Sequence, residues 1–343
     1  MSVKKLRTIS ITAFLCLILI PVLQLSGQDI TPSQSSLKLA PGKSAFYMSV
    51  SNVRAQLNRV WKSNAIQKVM DEFMERDDPI RKELNDDLLE GFLRLASNSE
   101  MENDDFSEWM RKPENKELMT LIVDAMSSEI FMFANDDYCD LMGAYVDSSR
   151  KMMQMMVDLM ASGEIMDGDD AMIKMMTKVL PKEMLDKLVV PDVVVGFQIS
   201  NEKRAINQIK RLEKIIRSGL DDADLTKQFG DRLKWQKLGN GNYLTMTGTG
   251  KDIPWDAVLG EADEAKEFIK NYRESIEKKT IAVAIGVYRN NLIFSIGNDL
   301  NHLTTLGKGE SLLSHSRFEK VRKVSGKRSA VTVYMSQRMA ENS

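Results

Sequence analysis

Trp235-Gln236-Lys237-Leu238, then Gly239-Asn240-Gly241-Asn242, then Tyr243-Leu244-Thr245-Met246 is the stretch whose reading decides the fold. Two runs suited to a pleated strand flank four residues that tolerate positive φ, the pattern of an antiparallel hairpin. A second hairpin follows, with strands over residues 281–288 and 292–296 joined through Arg289-Asn290-Asn291. Hairpins force antiparallel neighbours and leave the helices to cover a face. The sequence therefore predicts an α+β fold: an antiparallel sheet with helices packed on one face, plus a Met-rich acidic helical segment.

Upstream of the first hairpin, Val193-Val194-Val195-Gly196-Phe197-Gln198-Ile199 reads as a strand, and Asn201 opens a helix with Ile206, Ile209, Leu212 and Ile216 at spacings of three and four. Gly219 stands where that helix should stop. Nearer the start, residues 45–50 alternate as a strand with Phe46, Met48 and Val50 on one face and Tyr47 and Ser49 on the other. Ser51 or Asn52 then caps a helix with Val53, Leu57 and Val60 on its buried stripe. Residues 65–126 read as several short helices, 130–134 as a strand, and 138–188 as a long helical stretch broken near Gly163, Gly168 and Pro181. Downstream, a helix carrying Phe268, Tyr272 and Ile276 precedes the second hairpin, and the last strand covers residues 330–335.

Lys4, Lys5 and Arg7 precede an almost wholly apolar run over residues 9–25, the layout of a secretory signal. This predicts a removed segment 1–27 and export to the periplasm or beyond, or membrane anchoring if cleavage fails. Residues 28–43 read as a flexible tether, 44–190 as a strand with a mainly helical acidic Met-rich region, and 191–343 as an α+β region with two hairpins. The formal charge of -2 hides an asymmetry, since residues 71–170 hold 27 acids against 9 bases. Nothing in this distribution suits nucleic acid. Cys139 would be the only cysteine left after removal of the leader, which excludes an intrachain disulfide, and its neighbours Asp136, Asp137 and Asp140 disfavour a thiolate.

The Pro41-Gly42-Lys43-Ser44-Ala45 lead-in to a strand, Val53 through Trp61-Lys62-Ser63, and the helix over 66–73 resemble the start of a large group of exported bacterial proteins of unknown function. Val287-Tyr288, Asn291-Leu292-Ile293-Phe294-Ser295-Ile296-Gly297, Ser311-Leu312-Leu313 and Phe318 are similar to the same group. The resemblance implies an exported compartment and an α+β fold, and it supplies no catalytic residue. Within the chain, Gly42-Lys43-Ser44-Ala45 leading to Tyr47-Met48-Ser49 is echoed by Gly326-Lys327 and Ser329-Ala330 leading to Tyr334-Met335-Ser336.

The residues that carry chemistry are sparse. His302 and His315, with Asp299 and Glu310 nearby, form no metal-ligand spacing. Gly248-Thr249-Gly250-Lys251 and Gly307-Lys308-Gly309-Glu310-Ser311 lack the phosphate-loop gap, and Asp167-Gly168-Asp169-Asp170 lacks the later residues of a calcium loop. The expectation is therefore no cofactor, no metal and no catalytic set. Of the 23 methionines, Met152, Met153, Met155, Met156 and Met160 crowd two helical turns. Met152, Met156 and Met160 share one face, which suits a flexible core; Met152, Met153, Met156 and Met160 are the predicted partner-binding positions if these methionines are exposed. Taken together, the sequence predicts a non-catalytic binding or scaffold module of the cell envelope, with an envelope protein or polysaccharide as partner. It touches the membrane only through its N-terminal signal or anchor. A carboxylate-based hydrolase or lyase acting on polysaccharide, with Trp61, Trp109, Trp235 and Trp255 as stacking platforms, is the alternative. Cu(I) binding by the Met-rich helices is the third reading.

Overall fold

A computed structural model describes residues 36–73, 79–91, 108–109, 112–162, 182–223, 225–253, 255, 272–319 and 331–341. The strands are β1 (Phe46–Ser51), β2 (Glu129–Ala134), β3 (Val193–Gln198), β4 (Lys234–Leu238), β5 (Gly241–Thr249), β6 (Thr280–Tyr288), β7 (Asn291–Gly297) and β8 (Val331–Met335). They form one antiparallel sheet in the order β4-β5-β6-β7-β3-β2-β1-β8. The main helices are α1 (Val53–Trp61), α2 (Asn64–Phe73), α3 (Pro79–Asp86), α4 (Pro113–Ser127), α5 (Asp137–Ser162), α6 (Lys182–Lys187) and α7 (Glu202–Asp222). Shorter pieces follow as α8 (Thr226–Phe229), α9 (Asn301–Thr304) and α10 (Gln337–Glu341). The expected α+β fold is what the chain adopts, and β3 joins the strands of both predicted regions into a single sheet.

Both hairpins close more tightly than their sequences suggest. Leu238 pairs with Gly241, so the first turn consists of Gly239-Asn240 alone. Gly239 has φ 59°, and a Cβ there would come 2.8 Å from the Thr304 carbonyl oxygen, so the turn needs glycine for both conformation and space. Tyr288 pairs with Asn291, leaving Arg289 and Asn290 at φ 47° and 57° as a two-residue turn whose twist matches that of the strands. The predicted caps form: Asn52 Oδ1 accepts from Ala55 N at 3.1 Å and Asn201 Oδ1 from Arg204 N at 2.9 Å. Gly219 does not stop α7, which runs on to Asp222. At Gly219 a Cβ would meet nothing within 4 Å, so the glycine is simply a solvent-facing helical residue.

The two faces of the sheet are covered differently. On one, Tyr47, Phe131, Phe133, Val194, Tyr243, Ala284, Tyr288 and Ile293 lie under Leu37, Leu39, Ala40, Leu303, Leu306, Leu312 and Phe318, so the cover is irregular chain and single turns. Leu37, Leu39 and Ala40 are fully part of this core, which corrects the expected tether over its described part, residues 36–43. The apolar Leu37, Leu39 and Ala40 dock on the sheet, and Pro41 bridges to Ser311. On the opposite face α4 and α7 pack over Ile199, Leu244 and Leu292, while α1 and α2 pack near Val50 and Ile130. These are the helices expected on a single face. The internal echo acquires a meaning here, because β1 and β8 pair directly with Tyr47 opposite Tyr334.

Tyr243 and Tyr288 each bury a hydroxyl with no protein hydrogen-bond partner, and burial pushes the Tyr243 phenol far above its usual range. Tyr243→Phe removes an unpaired polar atom and keeps the ring. It is expected to raise unfolding free energy by about 1 kcal/mol in urea titrations; a loss of that size would show that the hydroxyl is satisfied.

Candidate functional site

The predicted partner-binding methionines lie on α5. Met153 is 70% exposed, and Met152 and Met156 are exposed as well. The core reading of this stripe is thus overturned for these two positions, because no described element packs on that stretch of α5 closely enough to bury them. The side chain of Met160, and Met166, Met172, Met175 and Met176 entirely, lie outside the described residues. So do the calcium-loop reading of residues 167–170, the leader over 1–27, and Phe268; the later part of the helix predicted to carry it is described, helical over 272–277 with Tyr272 buried. Met184 on α6 is half-buried, with its sulfur 4.0 Å from Ser148 Oγ.

A larger apolar surface, unmarked by any motif, is carried by the helix-covered face of the sheet itself. Strand alternation and the pairing register place Val283, Ile296, Val193, Ala134, Phe46 and Met335 in one row across six strands. Ile285, Phe294, Val195, Met132, Met48 and Val333 make the next row. No polar side chain interrupts either. The third row, Val287, Leu292, Phe197, Ile130 and Val50, lies under α7, α4 and α1, which leaves the first two only partly covered. Ile281, Val283, Phe294 and Ile296 are exposed at one end, Val333 and Met335 at the other, and the middle positions are half-buried except Ala134, which is buried. Tyr138, at the start of α5, touches Phe46 with ring centroids 6.0 Å apart and so rims this surface.

Polar groups gather at the ends of β2, β3 and β7. Asn135 follows β2, Asp192 precedes β3, and Asn135 Oδ1 accepts from Asp192 N while its Nδ2 donates to Asp192 Oδ2 at 3.1 Å and Asp137 Oδ2 at 3.0 Å. Across the gap, His302 on α9 places Nδ1 3.1 Å from Asp192 Oδ1 and Nε2 2.5 Å from Ser295 Oγ on β7. The Nδ1 contact is off the hydrogen-bond line, so that nitrogen is buried with no hydrogen-bond partner. Asp299 completes the group, with ligand atoms of Asp192, Asp299 and His302 all within 4.8 Å of one another. Gly297 makes the room: a Cβ there would stand 2.4 Å from Asp192 Oδ1 and 3.2 Å from the His302 ring.

Spacing along the sequence does not show this convergence, because Asp192 lies more than a hundred residues before His302. His315 takes no part in it; the ring lies beside Gly42 and lines a shallow open cavity of about 470 Å³ with Lys43, Asp136, Tyr334 and Arg338. Ser295, His302 and Asp192 stand in the order of a nucleophile, base and orienting acid. Ser295, however, is buried on the core face beneath α9, and the second contact lacks hydrogen-bond geometry. The stacking platforms of the polysaccharide reading thin out as well. Trp61 and Trp255 are core residues, their indole N–H groups donating to Asn85 Oδ1 at 2.8 Å and the Gly250 carbonyl at 3.0 Å. Cys139 is fully buried and its thiol is pushed up, first by burial, in keeping with an inert role. Among the described residues no helix is long and apolar enough to cross a membrane. Comparison with protein families, with curated proteins and with solved structures returns no match to this chain.

Proposed function

We propose that this chain is an exported, non-catalytic binding module of the cell envelope, and that it receives an amphipathic helix of a partner protein on the partly covered rows of its sheet. The observation that carries the reading is the pair of uninterrupted apolar rows, exposed at Val283, Phe294, Ile296, Val333 and Met335. Two same-face positions along a strand span about 7 Å, and with side-chain radii the strip is one helix wide at the usual 8–10 Å spacing. Its occupant would lie beside α4 and α7 in the same layer. Scattered single apolar residues are ordinary on a protein surface, whereas a contiguous set of this kind marks a contact surface. The exposed methionines of α5 form an adaptable surface of the sort used by binding sites. Export is supported by the leader pattern in the sequence.

The reading is tested by placing a photo-crosslinking side chain at Val283 and, separately, at Met335 in cells. One partner should be captured from both positions, through a helical segment of its own, and Ile296→Ser with Val333→Ser should abolish capture. Because both replaced side chains are exposed, the melting temperature of the double variant should stay within about 2 °C of the parent. Different partners from the two positions, or capture that survives the double replacement, would refute a single docked helix.

A further inference from the structure

We infer that Asp192, Asp299 and His302 hold a divalent first-row transition-metal ion, of the Zn²⁺ or Mn²⁺ kind. The inference is independent of the docking surface. Three observations converge on it.

The first is the contact between His302 Nδ1 and Asp192 Oδ1, 3.1 Å apart yet not a hydrogen bond. Ser295 Oγ also lies 3.3 Å from the Val193 carbonyl oxygen. When the serine hydroxyl donates there, it accepts from His302 Nε2–H, and Nδ1 is left as an acceptor beside a carboxylate oxygen that stands off its lone-pair axis. Two acceptors at that distance repel, and a cation on the lone-pair axis within reach of both would relieve the repulsion. For an ion about 2.1 Å from each atom, a 3.1 Å separation subtends roughly 95°, within the range of ordinary coordination angles.

The second is charge. Asp137, Asp192 and Asp299 gather here, and among the described residues no lysine or arginine pairs with any of them. The third is space: the missing Cβ of Gly297 opens the floor between Asp192 and the His302 ring.

The remaining contacts resemble an outer ligand shell. Metal-bound histidines commonly fix their second ring nitrogen through a hydrogen bond, here to Ser295, and ligating carboxylates are themselves held, here Asp192 by Asn135 and Asp299 by Asn301. One imidazole with two carboxylates favours Zn²⁺ or Mn²⁺ over Ca²⁺. Asp299 is exposed, so the open positions of the ion face solvent.

Calorimetric titration of the full chain at pH 7.5 with Zn²⁺, Mn²⁺ and Ca²⁺ tests the site. One Zn²⁺ or Mn²⁺ per chain is expected, with Ca²⁺ weaker. Asp299→Asn should weaken binding at least tenfold, and Ser295→Ala roughly 10- to 100-fold through loss of ring positioning. Asp299 is exposed and makes only local bonds, so the metal-free variant should melt like the parent. X-ray absorption of the zinc-loaded chain should show one imidazole, which His302→Ala removes and His315→Ala keeps. Equal affinity in Asp299→Asn, loss of the imidazole signature in His315→Ala, or no binding below about 100 µM would overturn the assignment.

Discussion

Phe131→Ala is expected to remove about 3–5 kcal/mol of folding free energy, the range for deleting a large aromatic side chain from a core. Phe131 is 1% exposed at the centre of the sheet face that carries the largest core cluster, stacked on Phe133 with ring centroids 6.3 Å apart. Its cross-strand neighbour is Gly196, and the ring lies directly over that glycine. A Cβ built at Gly196 would fall 2.0 Å from the ring, so the aromatic fills the space that a side chain on β3 would occupy. Gly196→Ala alone should then cost about 1–3 kcal/mol through overpacking. In the doubly replaced chain the new methyl occupies part of the vacated volume, and the combined loss should fall short of the sum by more than about 0.5 kcal/mol. Urea unfolding of the four proteins measures this coupling. Strict additivity would mean that the ring and the glycine do not share the space assigned to them.

Glu129→Ala should cost on the order of 3 kcal/mol, because it strips a buried acceptor from several donors at once. Glu129 is 3% exposed at the start of β2. Its Oε2 accepts from Ser36 N at 2.8 Å, and its Oε1 from Ser36 Oγ at 2.9 Å and Tyr47 O–H at 3.3 Å, with Ser49 also bonded. Burial outweighs these bonds and raises the carboxyl above its ordinary range. The folded chain therefore holds this proton over a window that begins near 4.5, where the unfolded chain has released it. Within that window the native state binds more protons, so stability falls as pH rises through it and levels off above the folded value. Glu129→Gln abolishes the titration and should flatten this component of a pH series run from 4 to 8. Asp87 and Glu213 are shifted downward and act with the opposite sign, which is why the difference between parent and Gln variant is the informative quantity. A parent curve that parallels the variant over the whole range would show that Glu129 ionises normally.

What the sequence made legible was local. The two hairpins, the Asn52 and Asn201 caps, the Val53, Leu57 and Val60 stripe and the alternation of β1 all depend on residues within a few positions of each other. Neighbours in the sheet do not: β1 sits between β2 and β8, and β3 between β2 and β7, orders that no hydrophobic period encodes. The Asp192, Ser295, Asp299 and His302 group escaped notice for that reason, since Asp192 and His302 meet only once β3 and β7 pair. Asp299 and His302 were visible as a pair but lacked a third ligand in sequence. Glu129 stands just before the strand expected over 130–134, and no local pattern could mark it, because its partner Ser36 lies 93 positions away. The methionine stripe failed differently. Its helical spacing was correct, but spacing assigns residues to a common face without saying whether anything covers it.

The two rims of the sheet differ in a way that limits how copies could join. β4, at one rim, exposes Lys234 and Lys237, whereas β8, at the other, is the uncharged Val331-Thr332-Val333-Tyr334-Met335. Charged rims resist strand addition and uncharged ones permit it. With a single receptive rim per molecule, joining two copies through β8 uses up both. Among the described strands, edge-wise joining would therefore favour a closed pair over an open fibre.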